Sequence, residues 1–161
     1  MRWMNAACAI RAAGLILAVG LAWPAIAGPR EDAATAYSRQ EYATTVRLLK
    51  PLADQGDAWA QTFLGSMYAD GQGVPKDDAQ AVKWYRLAAD QGHAMAQANL
   101  GGMYANGEGV PRDYVLAYMW SNLGAARGNE IGRKNRDLIA RRMTLTDISE
   151  AQRLSREWKP K

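Results

Sequence analysis

His93 is the only imidazole and Cys8 the only thiol among 161 residues. A thiolate–imidazole couple or a zinc site needs more of both, or the two brought into one motif. Neither chemistry is expected here. His93 directly follows Gly92, at the junction of two similar stretches, and reads as a solvent-exposed loop residue without a catalytic partner. Asp77 and Asp78 stand side by side. General acid–base catalysis needs carboxyls that converge across a substrate gap, whereas neighbours at a helix start diverge. Asp77 has a simpler role as the N-cap of that helix. Gly71-Gln72-Gly73 lacks the strand–loop–helix setting of a phosphate cradle and reads as turn chemistry. The remaining candidates are cations: Arg133, Lys134, Arg136, Arg141 and Arg142, then Arg153, Arg156, Lys159 and Lys161. They spread around a helix instead of forming a stripe, as on a solvated cap, with contact to an anionic membrane or polysaccharide as the functional alternative. No metal, cofactor or nucleic acid is expected.

The elements that hold these residues belong to one soluble domain, since 48% of the chain is apolar and 22% charged. Residues 1–27 stand apart. Arg2 and Arg11 precede an apolar stretch from Ala12 to Trp23, and Pro24-Ala25-Ile26-Ala27 ends in small residues. This is the pattern of a Sec-type signal peptide cleaved after Ala27, which makes the mature chain periplasmic or secreted. The stretch falls short of the ~20 apolar residues that a spanning helix needs. Cys8 leaves with the leader, so the exported domain must be stable by packing alone. Residues 28–126 carry 8 basic and 11 acidic side chains, residues 127–161 carry 10 and 5. The basic balance therefore comes from leader and tail, a poor footprint for nucleic acid.

Gly56–Gln91 and Gly92–Arg127 align without gaps at a shift of 36, with 18 of the 36 positions identical. Such a period marks stacked units that cannot bury their apolar faces alone. Each unit reads as helix, turn, helix. Ala58, Gln61, Leu64, Gly65 and Tyr68 make one stripe of the first helix. Glycine inside a helix costs ~1 kcal/mol against alanine, so its recurrence at Gly65 and Gly101 implies a close crossing by the second helix. Gly71-Gln72-Gly73-Val74-Pro75 turns the chain. Asp77 then caps the second helix with Gln80 in capping-box position, and Ala81, Trp84, Tyr85 and Ala88 form its buried stripe. Trp84, Trp120, Tyr68 and Tyr104 are thereby assigned to the core, not to a ligand box.

The recurring pattern Leu-Gly-x-Met-Tyr-x-x-Gly-x-Gly-Val-Pro-x-Asp-x-x-x-Ala-x-x-Trp resembles the Sel1-like repeat, a relative of the tetratricopeptide repeat with a longer helix–helix turn. The resemblance implies an all-α fold, an α-α solenoid of antiparallel helix pairs with about eight helices in the mature chain. Residues 28–56 look like an N-terminal capping helix pair, a degenerate repeat. Residues 56–91 and 92–127 are the two full repeats, and residues 128–161 form the C-terminal capping helices. In that last segment Asn129 caps a helix over Glu130–Arg142, with Ile131, Asn135, Leu138 and Arg142 along one face. Thr144 with Asp147 opens a final helix to Trp158.

In tetratricopeptide-like arrays the first helices of the units line a concave groove. By resemblance, the positions that face a ligand are Trp59, Thr62, Phe63, Ser66 and Asp70 in the first unit and Met95, Ala98, Asn99, Gly102 and Asn106 in the second. They differ between units whose neighbouring positions are identical, as surface not fixed by packing would. An exposed Trp59 beside Phe63 and Met95 suits an extended peptide; equally, Trp59 and Phe63 can pack against the N-terminal hairpin. The resemblance implies a non-catalytic periplasmic adaptor or regulator that binds a protein or peptide partner. One alternative is an envelope-associated protein contacting anionic lipid or polysaccharide through its basic C-terminal helices. Another is a cell-wall or β-lactam hydrolase, for which no nucleophile–base pair is visible and the paired cysteines of β-lactamase-like relatives are missing after Ala27.

Overall fold

The computed structural model describes residues 28–161, and the signal-peptide expectation for residues 1–27 lies outside them. Among the described residues the chain forms eight α-helices and no strand. These are α1 (Pro29–Ser38), α2 (Tyr42–Asp54), α3 (Ala58–Asp70), α4 (Asp78–Asp90), α5 (Ala94–Asn106), α6 (Tyr114–Ala126), α7 (Glu130–Ala140) and α8 (Leu145–Glu157). No described helix is long and apolar enough to cross a membrane.

The period of 36 is written in the caps. Asp57, His93 and Asn129 stand at the N-cap positions of α3, α5 and α7, each preceded by a glycine, Gly56, Gly92 and Gly128. The side chains of Asp57 and Asn129 accept hydrogen bonds from the amides of Ala60 and Gly132, which satisfies donors that a helix start leaves open. α4 and α6 begin alike, with Asp77 and Asp113 accepting from the amides of Gln80 and Leu116. The reciprocal bond of a full capping box forms at α8, between Thr144 and Asp147.

Helices pack in chain order from α1 to α7, and α7 also lies against α5. One apolar cluster gathers Leu49, Leu64, Met67 and Trp84; a second runs through Leu100, Tyr104, Trp120, Ile139 and Ala151. The partly buried Tyr68 touches both. The large aromatics of the repeat therefore hold neighbouring helices together, and truncating such a side chain costs about 3–5 kcal/mol. The close crossings implied by Gly65 and Gly101 are present. A Cβ on Gly65 would stand 2.7 Å from the Tyr85 ring, and one on Gly101 would stand 2.9 Å from the Ala117 carbonyl oxygen.

Contacts between units use two further repeat residues. The buried amides of Gln61 and Gln97 donate to the carbonyls of Ala53 and Ala89, at 3.0 and 3.1 Å, near the end of the preceding helix. The second glycine of each turn also does more than bend the chain. Gly73 (φ 72°) sits on the backbone of Tyr42, where a Cβ would come within 2.5 Å, and Gly109 (φ 66°) sits on Asp78–Ala79 in the same way.

The C-terminal pair departs from a simple hairpin. α8 packs along α6, with Trp158 edge-on to Trp120 at 6.2 Å and Gln152 donating to the Tyr118 hydroxyl. The Lys161 amine reaches Asp90 at the end of α4. α7 buries Gly132 and Ile139, while Ile131 and Leu138 are 51% and 58% exposed. This end of the array is therefore not polar throughout.

Candidate binding groove

Two adjoining depressions mark the face shared by α3, α5 and α7. The larger, about 330 Å³, lies between the C-terminal halves of α5 and α7 and is lined by Asn106, Tyr114, Asn135, Leu138, Arg141 and Arg142, among others. The smaller, about 210 Å³, is lined by Tyr85, Asn99, Glu108 and Met103. Gly102, Asn106 and Asn135 border both. Gly102 leaves the floor open, because its missing side chain would point toward the Asn135 amide at 3.5 Å.

The residues assigned to a groove from sequence are divided by the structure. Asn99 and Asn106 line it, and Asp70 is exposed close enough to act on the Tyr85 hydroxyl. Burial pushes that phenol above its ordinary range, the Asn99 amide opposes this, and the Asp70 carboxylate raises it further. Trp59 and Phe63 go elsewhere. Their rings stack at 4.4 Å, Phe63 meets Tyr37 of α1 edge-on at 6.0 Å, and the Arg30 guanidinium lies over Trp59. Of the two arrangements left open for this pair, packing on the N-terminal hairpin is the one observed. Thr62 is 2% exposed, its hydroxyl donating to the Ala58 carbonyl. An inward-facing hydroxyl so bonded leaves no surface for a ligand. Ser66 is half-buried and donates to the Phe63 carbonyl. Met95, 45% exposed, borders a separate shallow depression with His93, Arg127 and Asn129.

Tyr114, Asn135, Leu138, Arg141 and Arg142 complete the groove and were absent from the sequence-derived site. The signal for most of them was present. Identity between units ends at Gly128, yet the register continues: Asn135, Leu138 and Arg142 stand 36 positions after Asn99, Gly102 and Asn106. α7 is thus a third first-helix whose composition has drifted. Asn135 ties it to α5 by donating to the Ala98 carbonyl at 3.2 Å.

Charge is distributed unevenly along this face. Asp70 and Glu108 stand toward α3, Arg141 and Arg142 toward α7. Many other cations of the tail are neutralised locally: Arg133 by Glu130 and Asp137, Arg136 by Asp137, Arg153 by Glu150 and Glu157. Arg112, Arg141 and Arg142 make no ion pair among the described residues. The guanidinium of Arg142, then that of Arg112, holds the Tyr114 phenol below its ordinary range.

His93 is not the free loop residue its position suggested. It is half-buried, and its Nδ1 lies 2.9 Å from the Thr62 hydroxyl. Burial lowers its pKa, the Asp57 carboxylate acts in the opposite sense, and Arg30 lowers it again. Asp57 itself is pushed up by burial, but the hydrogen bond and charge of Arg30 and the Ala60 amide outweigh this and leave it below the usual carboxylate range. No group of three or more His, Cys, Asp or Glu side chains able to hold a metal ion occurs among the described residues.

A stack of antiparallel helix pairs with a side-chain-lined face and this cap pattern defines an α-solenoid repeat protein. Residues 60–93 and 94–129 each match the Sel1 repeat, and this stretch belongs to the Sel1-repeat family. Its fold is typically a non-catalytic protein-interaction scaffold. No curated protein matches the sequence. Among solved structures, the chain is similar to c5321, a protective antigen present in uropathogenic Escherichia coli strains that displays an SLR fold. The TM-score is 0.75 at 33% identity, over 78% of this chain and 28% of that one. It is also similar to a Sel1 repeat protein from Oxalobacter formigenes, with a TM-score of 0.62 at 29% identity over 73% of this chain and 51% of that one. This chain thus spans well under two thirds of either structure.

Proposed function

We propose that this chain is a non-catalytic, exported adaptor that holds an extended segment of a protein partner along α3, α5 and α7. The observation that carries this reading is the placement of Asn99, Asn106 and Asn135 on one open face. Each side-chain amide both donates and accepts, which matches the alternating N–H and C=O of an extended main chain. Over a scaffold that repeats, the equivalent positions 70, 106 and 142 carry Asp, Asn and Arg, and positions 99 and 135 keep the same amide. Thr62, His93 and Asp57 form a hydroxyl–imidazole–carboxylate series, but the hydroxyl is buried and bonded to a carbonyl, which speaks against a nucleophile. Export rests on the leader-like residues 1–27 and would be seen as a mature N-terminus at Gly28 in fractionated cells.

A photo-cross-linker at position 106 tests the groove against one at position 87, because Leu87 is exposed on α4. Position 106 is expected to join a discrete partner and position 87 is not, and Asn99→Ala with Asn135→Ala removes the adduct while the melt stays cooperative, its midpoint lowered only by the lost Asn135–Ala98 bond. Equal labelling from both sites, or an adduct indifferent to the asparagines, defeats the reading. The unpaired Arg141 and Arg142 favour a second reading, contact with anionic lipid or polysaccharide. It requires vesicle or polysaccharide binding that weakens steeply with salt.

A further inference from the structure

We propose that the cavity between α5 and α7 receives the free carboxylate of a peptide's C-terminal residue, with that residue's aliphatic side chain against Leu138 and Ile139. This assignment rests on the groove reading and adds the chemistry of the ligand.

Arg141 and Arg142 line this cavity together with Tyr114, and Arg112 approaches the same phenol; none of the three has a carboxylate partner among the described residues, while Arg133 and Arg136 of α7 are paired. Arg141 and Arg142 also sit at the C-terminal end of α7, where a cation offsets the helix dipole. That accounts for their position but not for Arg112, which lies in the turn before α6. Guanidinium presents a planar fork of donors that fits a carboxylate in two-point contact. Beside these charges lies apolar surface: Leu138 is exposed, and Ala105, Ile139 and the Tyr114 ring complete the wall. Charge and apolar surface therefore share one compartment of about 330 Å³. A chain-terminal aliphatic residue carries its carboxylate and its side chain on the same Cα, so a single residue satisfies both. An internal Asp or Glu supplies the charge but needs a neighbour for the apolar wall. The preceding residues of the peptide then enter the adjoining depression, where Asn99, Asn106 and Asn135 meet its main chain.

N-acetyl-leucine, N-acetyl-leucinamide and N-acetyl-aspartic acid α-amide are the probes, each titrated into the isotope-labelled protein and followed by amide NMR. N-acetyl-leucine is expected to shift Gly102, Asn106 and Asn135 saturably. The leucinamide should bind at least about tenfold more weakly, the loss expected for a charge-assisted contact. The double variant Arg112→Met with Arg142→Met abolishes these shifts, and Arg133→Met leaves them unchanged, with the rest of each spectrum reporting that the fold is intact. Equal binding of leucinamide, shifts confined to other helices, or no saturable shift overturns the assignment. Binding of the aspartic α-amide as tight as N-acetyl-leucine also overturns it, in favour of an internal acidic residue. Should these probes fail while position 106 still cross-links its partner, the groove stands and the carboxylate site falls. Failure of both removes the groove as well.

Discussion

The two repeats share their interior and differ in what borders them. At one pair of equivalent positions the first repeat has Trp59 and Phe63, the second Met95 and Asn99. In the first, α1 lies alongside and its Tyr37 closes over the aromatic pair. In the second, α7 lies alongside and touches α5 through a side-chain amide on a carbonyl, with Gly102 beneath. An aromatic seal forms at one end and a cavity at the other. Identical scaffolds can thus present closed or open faces, and the neighbour decides which. Variation between repeats is therefore not by itself a mark of ligand contact, since Trp59 varies because it meets α1.

The strongest way to break this comparison is at the crossings. Gly101→Ala places a Cβ against the Ala117 carbonyl and Ser121, where backbone must move, and is expected to cost about 3 kcal/mol in denaturant unfolding. Gly65→Ala meets the buried Tyr85 side chain instead of backbone, so a side chain and not the main chain must shift, and it should cost less, about 2 kcal/mol. Equal losses would show that the two crossings are alike after all. At the surface, Trp59→Ala should destabilise by about 2 kcal/mol because it opens the contact with α1, whereas Met95→Ala should fall within about 0.5 kcal/mol of the parent. A Trp59→Ala protein that melts with the parent yet loses its partner would return Trp59 to the recognition surface. The smallest effect concerns the junctions. Burial favours neutral His93 in the folded chain, so its contribution is complete above about pH 6.5 and lost as pH falls through its lower folded value. Melting temperature should decline more steeply below that pH in the parent than in His93→Gln; parallel curves would mean that the imidazole titrates freely.

Much of the fold was legible because its determinants are local. Gly56, Gly92, Asp77 and Asp113 set helix ends through their own backbone preferences and short hydrogen bonds, and the helix count followed from them. The buried roles of Trp84 and Trp120 were readable from their fixed offset to small residues. The site was legible only in part. Asn99 and Asn106 could be placed by register, but the fate of Trp59, Phe63 and Thr62 depends on α1 and His93, whose contacts cross between units and leave no periodic trace. Asn135, Leu138 and Arg142 were visible as one helical face. Their kinship with α3 and α5 was hidden because geometry persisted past Gly128 while residue identity did not. α8 was legible as a helix from Thr144, Asp147 and Trp158, but its docking on α6 was not, since that depends on Trp120 and Tyr118 meeting Trp158 and Gln152 across the chain.

The seating of Gly73 on Tyr42 and of Gly109 on Asp78, with Gln61 and Gln97 anchored to carbonyls behind them, gives the array a direction. Both full repeats rest on the unit that precedes them in the chain, and none of these anchors points forward. Wherever the chain emerges N-terminus first, each full repeat therefore meets a hairpin it can rest on, whereas loss of an early hairpin takes away the footing of those that follow.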